Sequence, residues 1–268
     1  SSCTDEENRY NYIPSIMESI HSLICYVMKV NIQNFPVQQY FEVIISLIPN
    51  IFEQETNALL GTLGDLVSAG GKVNDEFVQL CLSKLQNCNF SLSPDPIYFF
   101  RSLICKQPEL VQQYIVQFVN FSISILNTEV NTGTYYWATI ANVCAALLSL
   151  LTSPSLGGLI NINDFIGLII NKLPVKGDYE EGSFIYYTLL TLYQRNQNEM
   201  NNYLEPLYIG IIKTLALKDK TFNKYHFTQE IYSSLVNFIN NIPEWKNKIP
   251  EILLNDQFKI AKLQERLL

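Results

Sequence analysis

Apolar residues recur at helical spacing through nearly the whole chain, and the strong breakers fall between those runs. Windows with apolar positions at i, i+3, i+4 and i+7 predict helices near 12–30, 37–48, 54–69, 74–86, 95–105, 109–126, 135–152, 162–173, 180–194, 199–217, 226–241 and 248–254, then a short tail helix. Pro36, Gly70-Gly71, Pro94, Pro96, Pro108, Pro154, Gly157-Gly158, Pro174, Gly177 and Pro243 separate these segments. Pro14, Pro49, Pro206 and Pro250 fall in first or last turns, where a missing backbone N–H is tolerated. Asn74 and Asp164 stand where N-caps or first-turn anions belong. No segment alternates with period two over a β-branched run, so the expected class is all-α.

Pairing the helices exposes a period. Pairs begin near residues 12, 54, 95, 135, 180 and 226, a spacing of about 40 to 46 residues that falls in the range of HEAT and armadillo arrays. About six antiparallel helix pairs of HEAT type are expected to stack into one right-handed superhelical solenoid over 1–268. Two copies align directly: FEVIISLIP (Phe41–Pro49) with FIGLIINKLP (Phe165–Pro174), allowing one inserted residue. In both, an apolar helix ends in proline and the next begins with acidic residues, Glu55 in one copy and Glu180-Glu181 in the other.

Composition narrows the functions open to such an array. A net charge of -7 argues against a nucleic-acid binder, which would show a basic face, and favours basic partners. The six cysteines (Cys3, Cys25, Cys81, Cys88, Cys105, Cys144) form no C-x-x-C pair and read as free thiols in a reducing compartment. Asn89-Phe90-Ser91 and Asn120-Phe121-Ser122 fit the glycosylation sequon, a pattern too common to weigh in a chain that reads as intracellular. The polar start SSCTDEENRY has no leader character. The longest apolar run, Tyr135–Leu151, is shorter than the ~20 residues of a membrane span and carries Thr139, Asn142 and Ser149, so a buried helix and no membrane insertion are expected. In that helix Trp137, Ile140, Ala141, Cys144, Leu147, Leu148 and Leu151 share one face.

Catalysis has little to stand on. His21 and His226 lie far apart in sequence, with no Cys, Ser or carboxylate constellation around either, and no phosphate-loop, dinucleotide, zinc-protease or nucleophile-elbow motif occurs. Asp178-x-Glu180-Glu181 is a weak substitute for a carboxylate metal site. No enzyme and no cofactor are expected.

One charged stretch stands out, KLPVKGDYEEGSF from Lys172 to Phe184. Pro174 stops a helix, Gly177 permits the turn, and Asp178, Glu180 and Glu181 suit the positive end of the next helix, each contributing about 0.3–1 kcal/mol. The same carboxylates, with Lys176, are the candidate protein-binding residues, because other repeat turns carry less charge.

Asn142, Ala145, Leu173, Pro174, Lys176, Asp178, Glu180, Glu181, Leu192 and Tyr193, with Lys262, Leu263 and Gln264 in the tail, form a recognisable pattern. On these positions Asn142 to Asn196 resembles the C-terminal region of importin-β superfamily nuclear transport receptors, most closely the branch that imports ribosomal proteins and histones. Ala141 and Gly177 depart from the family pattern, which has Asp before the Asn and an acidic or polar residue after the Lys. The resemblance implies the C-terminal part of a longer receptor that shuttles between cytoplasm and nucleus. It also implies basic protein cargo on the inner helices, near 37–48, 74–86, 109–126, 162–173, 199–217 and 248–254, and Ran GTPase binding in the full-length protein. Phe-Gly nucleoporins would bind in clefts between outer helices, where Phe99, Tyr186 and Tyr187 are candidate edges, with ordinary packing between repeats as the other reading of all three. The other reading from another class is a general HEAT scaffold or adaptor subunit in a cytosolic complex.

Overall fold

The structure, a computed structural model, describes residues 35–47, 53–79, 82, 94–128 and 134–268, together with Ser19, Ser22, Leu23 and Tyr26. The described residues are all-helical, with no strand among them. The helix expected over 12–30, His21, four of the cysteines (Cys3, Cys25, Cys81, Cys88), the Asn89 sequon and the Pro14 and Pro49 positions lie outside the described residues.

The helices used below are α1 (Val37–Leu47), α2 (Glu53–Ser68), α3 (Asp95–Lys106), α4 (Pro108–Val111), α5 (Ile115–Asn127), α6 (Thr134–Thr152), α7 (Ile166–Ile170), α8 (Tyr179–Arg195), α9 (Gln197–Met200), α10 (Leu204–Leu215), α11 (Asp219–Phe222), α12 (Gln229–Asn240), α13 (Ile249–Ile252) and α14 (Gln257–Leu267). Residues 75–79 are helical as well, and their start is capped as expected: Asn74 Oδ1 accepts the Phe77 N–H at 3.0 Å.

Several expected helices are shorter or broken. The segment expected over 109–126 is α4, a 3-10 turn at Gln112–Tyr114, and α5. The one expected over 199–217 likewise passes through a 3-10 turn before α10. Over 162–173 only α7 is α-helical, preceded by the 3-10 turn Ile162–Asp164. The cap there is Asn161, whose side chain accepts the Asn163 N–H, and Asp164 is the first-turn anion. α12 begins at Gln229 rather than near 226, because Thr228 takes the cap and His226 sits in the left-handed region at φ 48°.

Cα packing divides the chain into two compact units, Ser1–Phe121 with Ser149–Ile160, and Ser122–Leu148 with Asn161–Leu268. In the first, α2 and α3 lie side by side. A Cβ added at Gly64 would stand 2.8 Å from the Tyr98 ring and 3.3 Å from the Phe99 Cα, so the approach requires glycine there. Polar ties reinforce it: Tyr98 donates its hydroxyl to Asp65 at 2.6 Å, and Ser68 donates to Ser102 at 3.3 Å. Phe99, a candidate cleft edge, is instead a packing residue: it is fully buried and meets Phe77 edge-on at 5.5 Å.

In the second unit, α8 packs on α12, and α10 on α12 and α14. Arg266 of α14 is buried and donates to the carbonyl oxygens of Leu215 and Leu217, at 2.6 Å for the latter, and to Asp219 at 2.6 Å. It thereby satisfies carbonyls left open at the end of α10. α6 is a buried helix, as expected: every residue from Thr139 to Leu150 is buried, not only the face named from its spacing, which accounts for its near-continuous apolar sequence. Among the described residues no helix is long and apolar enough to cross a membrane.

Candidate functional site

The charged turn between α7 and α8 is built against α6. Gly177 has φ +80°, and a Cβ there would lie 2.4 Å from the Ala138 N, so the chain needs glycine both to turn and to approach that helix. The Leu173–Pro174 peptide bond is cis. Asp178 is the N-cap of α8: one carboxylate oxygen accepts the Glu181 N–H at 3.4 Å. Its other oxygen accepts from Asn142 Nδ2 at 3.0 Å, and the same Asn142 amide group donates to Ala138 O at 3.0 Å. Asn142 is buried, so Asp178 supplies a hydrogen bond that an interior amide needs.

The other sequence-predicted site residues point elsewhere. Lys176 places its Nζ 4.4 Å from the centroid of the Trp137 ring. Glu180 is exposed in the first turn of α8, and Glu181 beside it is half-buried. The turn is therefore a joint in which one carboxylate and one lysine serve intramolecular contacts, with Glu180 its solvent-facing carboxylate.

Val175 continues the joint on its far side. Its carbonyl accepts the Tyr225 hydroxyl at 2.5 Å, and the Ser183 hydroxyl donates to the Tyr225 carbonyl. Tyr186, a second expected surface edge, is fully buried and shares a hydrogen bond with Thr214. Burial holds its hydroxyl far above the usual phenol range. Of the three expected aromatic edges only Tyr187 is exposed.

A concave feature of this unit lies further along the same helix. A groove of about 360 Å³ runs between α8 and α12. Leu190, Phe238 and Ile242 form its buried floor, and Tyr193 meets Phe238 edge-on at 5.3 Å. Gln194, Ser234, Asn237 and Asn241 form its rim, and no charged side chain lines it. Tyr193 was legible as part of the Leu192-Tyr193 helix ending, but its partner is distant in sequence, and helical spacing alone does not say which faces leave space between them.

Little here suits metal or nucleophile chemistry. Among the described residues no three His, Cys, Asp or Glu side chains stand where they could hold a metal ion. Cys144 is buried and its thiol is pushed up to about 12 by burial, which makes it an inert packing residue. Asn120 of the sequon lies within α5 with Ser122 fully buried. His226 is exposed. No protein-family model, curated protein or solved structure matches the chain.

Proposed function

We propose that this chain is a protein-binding solenoid, right-handed and built of about six HEAT-type helix pairs, and that it forms the C-terminal part of an importin-β-like nuclear transport receptor. The observation that carries the reading is the groove between α8 and α12. These are the first helices of consecutive pairs in the sequence reading, and the space between them is floored by Leu190, Phe238 and Ile242 and edged by Tyr193. A shallow apolar seat of that kind takes the phenylalanine of a Phe-Gly nucleoporin repeat. The net charge of -7 supports basic protein cargo through long-range attraction that salt would weaken. Glu180 is the carboxylate of the charged turn that faces solvent for such a partner. In the full-length protein Ran GTPase is a further partner, and the working location is the cytoplasm and the nucleus.

The test is fluorescence anisotropy of a labelled Phe-Gly peptide titrated with the chain. Binding is expected, and Ser234→Tyr, which fills the groove from its half-buried rim, should weaken it at least tenfold. Absence of binding, or binding indifferent to that substitution, removes the groove from the proposal. A basic localisation-signal peptide is the second probe, expected to weaken as salt rises and on Glu180→Lys. An array that ignores both probes is a general scaffold or adaptor.

A further inference from the structure

We infer that α14 is an exchangeable helix: the turn at Leu254-Asn255 straightens, and α14 of one copy docks on α10 and α11 of a second copy of this chain, which returns its own. The partner is the same chain, joined through the site that Arg266 already fills.

The turn supplies the first argument. Leu254 donates its N–H to the Glu251 carbonyl at 2.9 Å and Asn255 to the Pro250 carbonyl at 2.7 Å, the paired bonds of a Schellman ending on α13. Such an ending puts the residue after the helix in the left-handed region, where glycine is the ordinary choice. Here that residue is Leu254, at φ 55°, and Asn255 follows at φ 56°. Leu254 is 84% exposed, so no packing of its side chain offsets the backbone cost. Nor does the sequence demand a break at this point, since neither glycine nor proline occurs from Glu251 to Leu268. Straightened, the segment continues α13 into α14 as one helix from Ile249 to Leu267, about 28 Å long, which carries α14 away from its own α10.

The dock supplies the second argument. Only Leu263 and Arg266 of α14 are buried, and a helix held by so few side chains opens well before the whole fold does. What holds it is specific. The Arg266 guanidinium meets the Leu215 and Leu217 carbonyls, the Asp219 carboxylate and the Phe222 ring, the last at 3.9 Å. Lys262 adds a second cation to Asp219 at 2.7 Å, and the Tyr232 hydroxyl donates to the Arg266 carbonyl at 2.6 Å.

Each of these partners precedes the turn in sequence, and each group they hold follows it. Exchange between two copies therefore restores the same contacts with the same charge complementarity, while each chain gives up one left-handed turn. The cost that remains is the association itself, so the balance between closed and exchanged forms is set by concentration.

Light scattering of the chain as it leaves a sizing column, over about a hundredfold range of concentration, is the test. A dimer that grows with concentration is expected. Leu254 and Asn255 are exposed, so substitutions there leave the packed core intact. Leu254→Gly eases the left-handed turn and interrupts the straightened helix; it should weaken dimerisation by about tenfold or more, because each dimer opens two turns. Asn255→Ala, which prefers the helix, should strengthen it about tenfold. Asp219→Arg and Arg266→Glu each bring like charges together within a closed chain, and mixing the two variants regains a native pair only when α14 is exchanged. The mixture should dimerise about tenfold more tightly than either variant alone. A chain that stays monomeric at every concentration, Asn255→Ala included, overturns the exchange. So does a dimer whose Kd moves less than about twofold with both turn substitutions, or that gains nothing from mixing, since another surface would then join the copies.

Discussion

Two helix seams in this protein, α2–α3 and α8–α12, reach opposite outcomes. Between α2 and α3 the contact is closed: the Tyr98 ring and the Phe99 Cα occupy the space where a Cβ on Gly64 would stand, and Asp65–Tyr98 and Ser68–Ser102 hydrogen bonds hold the seam shut. Between α8 and α12 the side chains are large. Tyr193 and Phe238 meet edge-on and hold open a groove of about 360 Å³. Two packed helices thus yield either a closed contact or a ligand-sized space, according to the size of a few residues at the crossing.

The largest expected effect breaks the closed seam. Gly64→Leu forces a branched side chain into the Tyr98 ring and should cost about 3 kcal/mol in urea unfolding monitored by circular dichroism. Retention of wild-type stability would show that α2 and α3 can separate freely.

Next comes Asp178→Ala, which removes the α8 cap and the partner of buried Asn142 together, and should cost about 2 kcal/mol. Because the groove lies further along α8, Phe-Gly peptide affinity of the folded variant should be unchanged. A loss of affinity that salt abolishes would instead give the charged turn a direct binding role.

A smaller effect depends on pH. The Asp219 carboxyl is held below its ordinary value by the hydrogen bond from Lys262, then by the Lys262 and Arg266 charges. A depressed folded pKa gives stability that is present above the unfolded value and lost as pH falls through the folded one, so the loss belongs below about pH 5. Asp219→Asn should flatten the dependence of the urea midpoint on pH in that acid range, with little change in its slope near neutrality.

The smallest effect sharpens the comparison from the other side. Asn237→Leu, at the exposed rim, should change stability by less than about 0.5 kcal/mol, since no fold contact of that side chain is lost. A larger loss would make the rim part of the fold, like the α2–α3 seam.

Much of this was legible in the sequence for identifiable reasons. Periodicity and proline or glycine breaks act locally, and they located most helices to within a few residues. Asn74 as a cap and Gly177 as a turn residue also read correctly, because each depends on near neighbours. What depends on distant partners did not read. Phe99 and Tyr186 read equally as cleft edges or as packing residues and are core residues, a choice made by faces that come from elsewhere in the chain. Asp178 was placed at its helix start, but its second oxygen belongs to Asn142, 36 residues earlier. The groove eluded the sequence because exposed carboxamides on a helix look like any solvated face. It emerges only when Tyr193 and Phe238 are brought together.

Arg266 sets an order of events for synthesis. The carbonyl it serves at Leu215 lies 51 residues earlier, so α10 leaves the ribosome with its final turn open to water. That end stays unsealed while the whole of α12 is made, and it closes only when α14 arrives to dock. A chain released short of residue 266 would therefore lack the clasp that fastens α10, a state in which proteases would find an entry point at 215–219.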